Sequence, residues 1–193
     1  MRSKRAFFLF ILNYANAQVF FSSEKIISDA IDGGEFVFAI DLDKDGDIDL
    51  LSASENDDKV SWYENDGSQS FTTRHVSTNA DSARSVFAID LDKDGDIDLL
   101  SASTKDKVLA WYENNGSQNF TKNQINNNNI TSIENVKSVL ALDIDNDGDI
   151  DVISGGGGRI MWHENDGSQN FTTRVIMLNN SYDVRDVTAI DLD

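Results

Sequence analysis

Internal repetition constrains this chain more than any other feature. Residues 37–54 recur unchanged as residues 86–103, a shift of 49, and a third copy opens at Asp143, 53 residues after Asp90. A second signature keeps step: Trp62-Tyr63-Glu64-Asn65-Asp66-Gly67, then Trp111-Tyr112-Glu113-Asn114-Asn115-Gly116, then Trp162-His163-Glu164-Asn165-Asp166-Gly167. Units of about 50 residues build solenoids, propellers or arrays, because one unit alone cannot bury its apolar face and must stack on the next.

Each period reads as four short strands. Residues 37–42 are apolar on both faces, as an innermost strand packed on each side requires. Residues 48–54 form the second strand, and residues 59–64 alternate, with Val60 and Trp62 on one face and Ser61 and Tyr63 on the other. Asn65-Asp66-Gly67 turns the chain into a fourth strand over residues 71–76, since Asp-Gly is a strong hairpin signal. No stretch sustains a period of 3.6. The expected fold is all-β: a β-propeller of four-stranded antiparallel blades, here an incomplete ring of three blades plus partial ends.

Between the first two strands of every period lies an acidic nonapeptide with aspartate at alternate positions and glycine sixth. The three copies span residues 41–49, 90–98 and 143–151. Five carboxylates in nine residues repel one another unless a hard cation sits among them, and calcium takes six to eight oxygens in a flexible cage. The pattern therefore reads as a calcium loop. An EF-hand shares its first half but needs a bidentate glutamate at position twelve, where this chain has Ser52, Ser101 and Ser154, and it needs flanking helices.

The net charge of −18 is largely local, since the loops hold 15 of the 34 acidic residues. Such a balance excludes nucleic acid as a partner class. Residues 1–17 carry Arg2, Lys4 and Arg5, an apolar run over residues 6–12, and Ala15-Asn16-Ala17, the layout of a secretory signal cleaved after Ala17. Its removal takes three basic and no acidic residues, leaving a net charge of −21. The run is too short to cross a bilayer, which takes about 20 residues, so no membrane insertion of the mature chain is expected. Cysteine is absent, so a secreted, extracellular or cell-surface chain of this kind needs another stabiliser, and metal held only by the fold is one. Proline is absent too, which leaves the turns to Gly, Asn and Asp.

Apolar strand, Asp-x-Asp-x-Asp-Gly-x-x-Asp loop, second strand and Trp-Tyr-Glu-Asn-Asp-Gly hairpin together resemble FG-GAP or VCBS-type repeats, as found in integrin α-chain head propellers and many secreted proteins. The Gly-Ala-Pro element that names the FG-GAP family is missing, so the VCBS-type variety is the closer likeness and integrin-like adhesion ligands are not carried over. The resemblance implies Ca2+ in each loop. Asp41, Asp43, Asp45 and Asp49 would hold it by their side chains, with the carbonyl of Asp47 completing the set. Loop two offers Asp90, Asp92, Asp94 and Asp98 with the carbonyl of Asp96, and loop three offers Asp143, Asp145, Asp147 and Asp151 with the carbonyl of Asp149. The implied division is 1–17 signal, 18–35 outermost strand of an incomplete blade, 36–84, 85–137 and 138–185 as blades, and 186–193 the start of a fourth.

The leading functional expectation is a secreted, calcium-binding recognition or adhesion scaffold without catalysis, its partner an extracellular protein or a glycan. The alternative is a carbohydrate-binding, lectin-like module or the accessory domain of a larger glycan-active enzyme. Trp62, Trp111 and Trp162 share a face with Val60, Leu109 and Ile160 and are expected between blades rather than on a sugar platform. Tyr63, Tyr112 and His163 point the other way and are the expected contacts for a partner. Neither histidine lies in a nucleophile-and-base arrangement, and His75 is expected on an outer strand. The run at residues 155–158 is expected to be a loop between strands. Asn115, Asn119, Asn129, Asn170 and Asn179 open Asn-x-Ser/Thr sequons, relevant in a eukaryotic source. Residues 21–26 match residues 71–76, and Asp191-Leu192-Asp193 repeats the opening of the loop, so the chain is expected to be the N-terminal part of a longer propeller, or one of several chains that share a ring.

Overall fold

The computed structural model describes residues 26–125, 135–178 and 183–189. The expected signal segment, most of the strand at residues 21–26, and Asp191-Leu192-Asp193 lie outside the described residues, as do Asn129 and Asn179.

Twelve strands form three four-stranded antiparallel sheets. The first is β1 (Gly34–Ile40), β2 (Asp49–Ser54), β3 (Lys59–Asn65) and β4 (Phe71–Ser77), in that spatial order. The second is β5 (Ala83–Ile89), β6 (Asp98–Ser103), β7 (Val108–Asn114) and β8 (Phe120–Gln124), and the third is β9 (Val136–Leu142), β10 (Asp151–Gly156), β11 (Arg159–Asn165) and β12 (Phe171–Leu178). Each sheet is a meander, and the three stack without closing into a ring. The innermost strands begin at Gly34, Ala83 and Val136, two residues ahead of the expected blade starts.

Stacking explains why the second strands carry no polar face. All six residues of β2, and likewise of β6 and β10, are buried, so both side-chain faces of these strands are covered. Between the first two sheets, Leu51, Val60 and Trp62 meet Leu99 and Tyr112; between the second and third, Leu100, Leu109 and Trp111 meet Val152 and Met161. Full burial of side chains of this size contributes about 2–3 kcal/mol each, so these two layers are the stabilising core. Trp62 and Trp111 occupy the positions expected of them.

The innermost strands pack on one another along the inner edge of the stack. Phe38 meets Phe87 with ring centroids 5.1 Å apart, and Val139 N donates to Ser85 Oγ at 3.3 Å. Residues 183–189 continue this series without joining a sheet: Val187 N donates to Ser138 Oγ at 3.1 Å, and Ser138 Oγ donates to Asp186 Oδ1 at 2.8 Å. Gly155 and Gly156 are strand residues, not loop, and only Gly157 and Gly158 make the turn. A Cβ on Gly155 would lie 2.7 and 2.8 Å from methyls of Val187 and Val184, so the missing side chain admits this segment.

Candidate metal centres

The β1–β2, β5–β6 and β9–β10 connections are the three acidic loops. In each, the odd aspartates spend one oxygen on fastening the backbone. Asp41 Oδ2 accepts from Gly46 N at 3.0 Å, Asp43 Oδ1 from Asp45 N at 3.3 Å, and Asp45 Oδ1 from Asp47 N at 2.9 Å. Loop two repeats this with Asp90, Asp92 and Asp94, and loop three with Asp143, Asp145 and Asp147. The carboxylates also converge: one ligand atom each from Asp41, Asp43 and Asp45 lie within 4.8 Å of one another, as do those of Asp90, Asp92 and Asp94, and of Asp143, Asp145 and Asp151.

The free oxygen of the first aspartate tests whether a cation fits. Oδ1 of Asp41, of Asp90 and of Asp143 is buried and accepts no hydrogen bond. A buried anionic oxygen without a donor, beside two further carboxylates, is strongly unfavourable alone and is satisfied by a hard cation. The residues present fit calcium, an all-oxygen ion tolerant of irregular cages.

Two of the expected ligands have other duties. The ninth aspartate is fully buried and staples the loop to the far hairpin: Asp49 Oδ2 accepts from Leu42 N at 3.2 Å and Oδ1 from Asn65 N at 2.8 Å. Asp98 does the same for Leu91 and Asn114, and Asp151 for Ile144 and Asn165. Among the ninth-position residues, Asp151 also adds an oxygen to its cluster. The seventh aspartate lies over the β3–β4 turn. Gly67, at φ 74°, takes a backbone conformation that favours glycine, and a Cβ there would fall 2.5 Å from Asp47 Oδ2 and push that carboxylate aside; Gly116 and Gly167 repeat this against Asp96 and Asp149.

Sequence reasoning missed the asparagines that close this arrangement. Asn65 Nδ2 donates to Ile48 O at 3.1 Å, and Asn114 and Asn165 do likewise to Ile97 and Ile150. Their signal was the invariant Asn after Trp-x-Glu in all three copies. Loop and hairpin are thereby one rigid unit.

Burial dominates the electrostatics. It pushes the Asp98 carboxyl up to about 6, against the opposing hydrogen bonds from Asn114 and Leu91. Burial likewise raises Asp49 and Asp151, and it raises Asp43 and Asp92, with neighbouring carboxylates adding to the effect. The fold holds these anions at a cost, which a divalent cation among them would offset.

Tyr63, Tyr112 and His163 are not partner contacts. They are 4%, 1% and 0% exposed, because a strand in a stacked sheet buries both faces. Tyr63 and Tyr112 hydroxyls bond Ser52 Oγ at 3.0 Å and Ser101 Oγ at 3.2 Å. His163 fills the equivalent place with Nε2 on Ser154 Oγ and Nδ1 on Thr173 Oγ1, both at 2.8 Å, and burial lowers its pKa to about 4. The Ser154–His163 pair is sealed from solvent, so no substrate reaches it. His75 lies on β4, as expected, with Nδ1 3.0 Å from Ser61 Oγ.

The FG-GAP-like repeat family matches residues 41–101, 90–154 and 143–193, each match running from one acidic loop into the next. Among solved structures, the chain is similar to the one described as the structural basis of specific recognition of non-reducing terminal N-acetylglucosamine by an Agrocybe aegerita lectin, at 16% identity and a TM-score of 0.53. That likeness covers 77% of this chain and 40% of the lectin chain, and at such identity it bears on the fold alone. A search of curated proteins finds no match.

Proposed function

Since the chain belongs to the FG-GAP-like repeat family, we propose that it is a secreted recognition module of propeller type, stabilised by calcium in its three acidic loops and without catalysis of its own. The observation that carries this reading is the threefold recurrence of a buried, donor-free carboxylate oxygen at Asp41, Asp90 and Asp143. In the first two loops the first, third and fifth aspartates would hold the ion, and in the third Asp143, Asp145 and Asp151 would, with the carbonyl of Asp47, Asp96 or Asp149 available to complete the set. Calcium would supply charge neutralisation and cross-linking of the turn. The chain's own residues do the rest: the ninth aspartate and the Trp-x-Glu-Asn asparagine bind the loop to the hairpin, so an ordered loop fixes one whole end of each sheet. A stack of such sheets presents its turns as one surface.

The partner is an extracellular protein or a glycan, and the likeness in fold to a lectin is the reason to test glycans first. Titration calorimetry on the full chain is expected to detect calcium uptake at about 10⁻⁴ to 10⁻³ M, the range of extracellular modules. Asp41→Ala combined with Asp45→Ala should remove one site of three. No uptake by folded protein would end the metal reading. A glycan array in millimolar calcium tests the partner class, and silence there alongside capture of a protein ligand would favour the protein.

A further inference from the structure

We propose that Asn115-Gly116 is a self-promoted deamidation site, at which the β7–β8 turn converts Asn115 to an acidic residue without an enzyme. The turn is built to hold a carboxylate. In the first and third sheets the residue at this place is Asp66 or Asp166, and its Oδ1 accepts two backbone hydrogen bonds: from Ser68 N at 2.9 Å and Ser70 N at 3.0 Å, and from Ser168 N at 2.9 Å and Asn170 N at 3.2 Å. The side-chain amide of Asn170, followed by the Ser168 N–H, holds the Asp166 carboxyl below its usual range. In the second sheet the equivalent donors, Ser117 N at 3.0 Å and Asn119 N at 3.4 Å, meet Oδ1 of a neutral amide instead. Asn115 is exposed, and it opens the one Asn-Gly pair in the chain.

The step is an acyl transfer from one nitrogen to another. Hydroxide takes the proton from Gly116 N, that nitrogen bonds to Asn115 Cγ, and the Cγ–Nδ2 bond breaks with loss of ammonia. A cyclic imide remains, which one water opens, and nothing is oxidised or reduced. Two features of the turn promote attack. Glycine sets no Cβ beside the attacking nitrogen. As the new bond forms, negative charge gathers on Asn115 Oδ1, where two fixed N–H groups already point, which is the arrangement of an oxyanion hole. One contact opposes it: Gly116 N donates to Asn114 Oδ1 at 3.2 Å, a single neutral hydrogen bond at the long end of the range.

The imide opens in two ways with different consequences. Aspartate leaves the main chain as it was and turns the two bonds at Oδ1 into charge-assisted ones, so the second hairpin becomes like its neighbours. Isoaspartate carries the main chain through the side-chain carbonyl and adds a methylene between residues 115 and 116. Gly116 is seated against the second acidic loop, where a Cβ would already lie 2.4 Å from Asp96 Oδ2. A lengthened backbone cannot keep that seat, so this product unlatches the hairpin from the loop.

The test uses the full chain from a bacterial host, where the Asn115 sequon stays free of glycan. Folded protein is held in mildly alkaline buffer, a parallel sample is unfolded in guanidinium, and digested peptides of both are weighed at intervals. Residue 115 is expected to convert first among the asparagines, and faster in the folded sample than in the unfolded one. Asn115→Asp should melt at or above the parent, since the turn then holds the anion that its donors suit. Folded protein that converts Asn115 no faster than unfolded protein would overturn the proposal, as would an Asn115→Asp chain that melts below the parent.

Discussion

Asp98 offers the sharpest test of the electrostatic argument, because the fold buries it completely and engages both of its oxygens. Below the ordinary carboxylate range the proton is bound in folded and unfolded chains alike. Between 3.8 and about 6 only the folded chain keeps it, and above that the fold must bury an anion. The contribution of Asp98 to stability in chelator should therefore be greatest at acid pH and fall as pH rises through this window. The displacement from 3.8 to about 6 corresponds to about 3 kcal/mol. For a chain of this size that is roughly 6–12 °C in melting temperature. Asp98→Asn keeps an acceptor for Asn114 N but leaves Leu91 N facing an amide, a pH-independent cost of about 1–3 kcal/mol. Urea unfolding of both proteins at pH 4 and pH 7, in chelator, isolates the carboxyl, because every other titrating group cancels in the difference. Wild type should lose about 2 kcal/mol relative to the variant between the two conditions, because pH 4 lies just above 3.8, and millimolar calcium should flatten its curve. A wild-type-minus-variant difference that is the same at both pH values would refute the reasoning.

Two further outcomes follow from single contacts. Gly67→Ala places a Cβ 2.5 Å from Asp47 Oδ2 on a backbone at φ 74°, so it should cost about 1–3 kcal/mol and lower calcium affinity in loop one, read by thermal unfolding with and without calcium. His163 runs opposite in sign to Asp98: its folded pKa of about 4 lies below the ordinary 6.5, so its contribution is complete above 6.5 and is lost as pH falls through 4. His163→Tyr, which copies Tyr63 beside Ser52, should abolish that loss of about 3 kcal/mol; an unchanged acid limb in the variant would show the histidine is not its source.

The acidic loops and the strand count were legible because they depend on local chemistry. Alternating aspartates, an Asp-Gly turn and the period of the copies are properties of neighbouring residues, and β1–β4 fall within a few residues of the strands expected from the pattern. The faces were not legible. Parity places Trp62 and Tyr63 on opposite sides of β3, but it does not say that both sides are covered, and the supposed partner contacts proved to be core. Gly155 and Gly156 misled for the same reason, since glycine in a strand is explained by what approaches it: Val184 and Val187 approach Gly155 from some 30 residues away in sequence, and the backbone of Asn135 and Val136 approaches Gly156.

Sequence alone determined that this is a chain of like β-units with a cluster of anions at one turn of each, because repetition and charge spacing need no knowledge of the fold. Tertiary structure decided which oxygens are left for a cation. The carboxylates of a loop are chemically alike, and only the approach of the β3–β4 hairpin, donating Asn65 N to Asp49 while leaving Asp41 Oδ1 buried without a donor, sets the staple apart from the ligand.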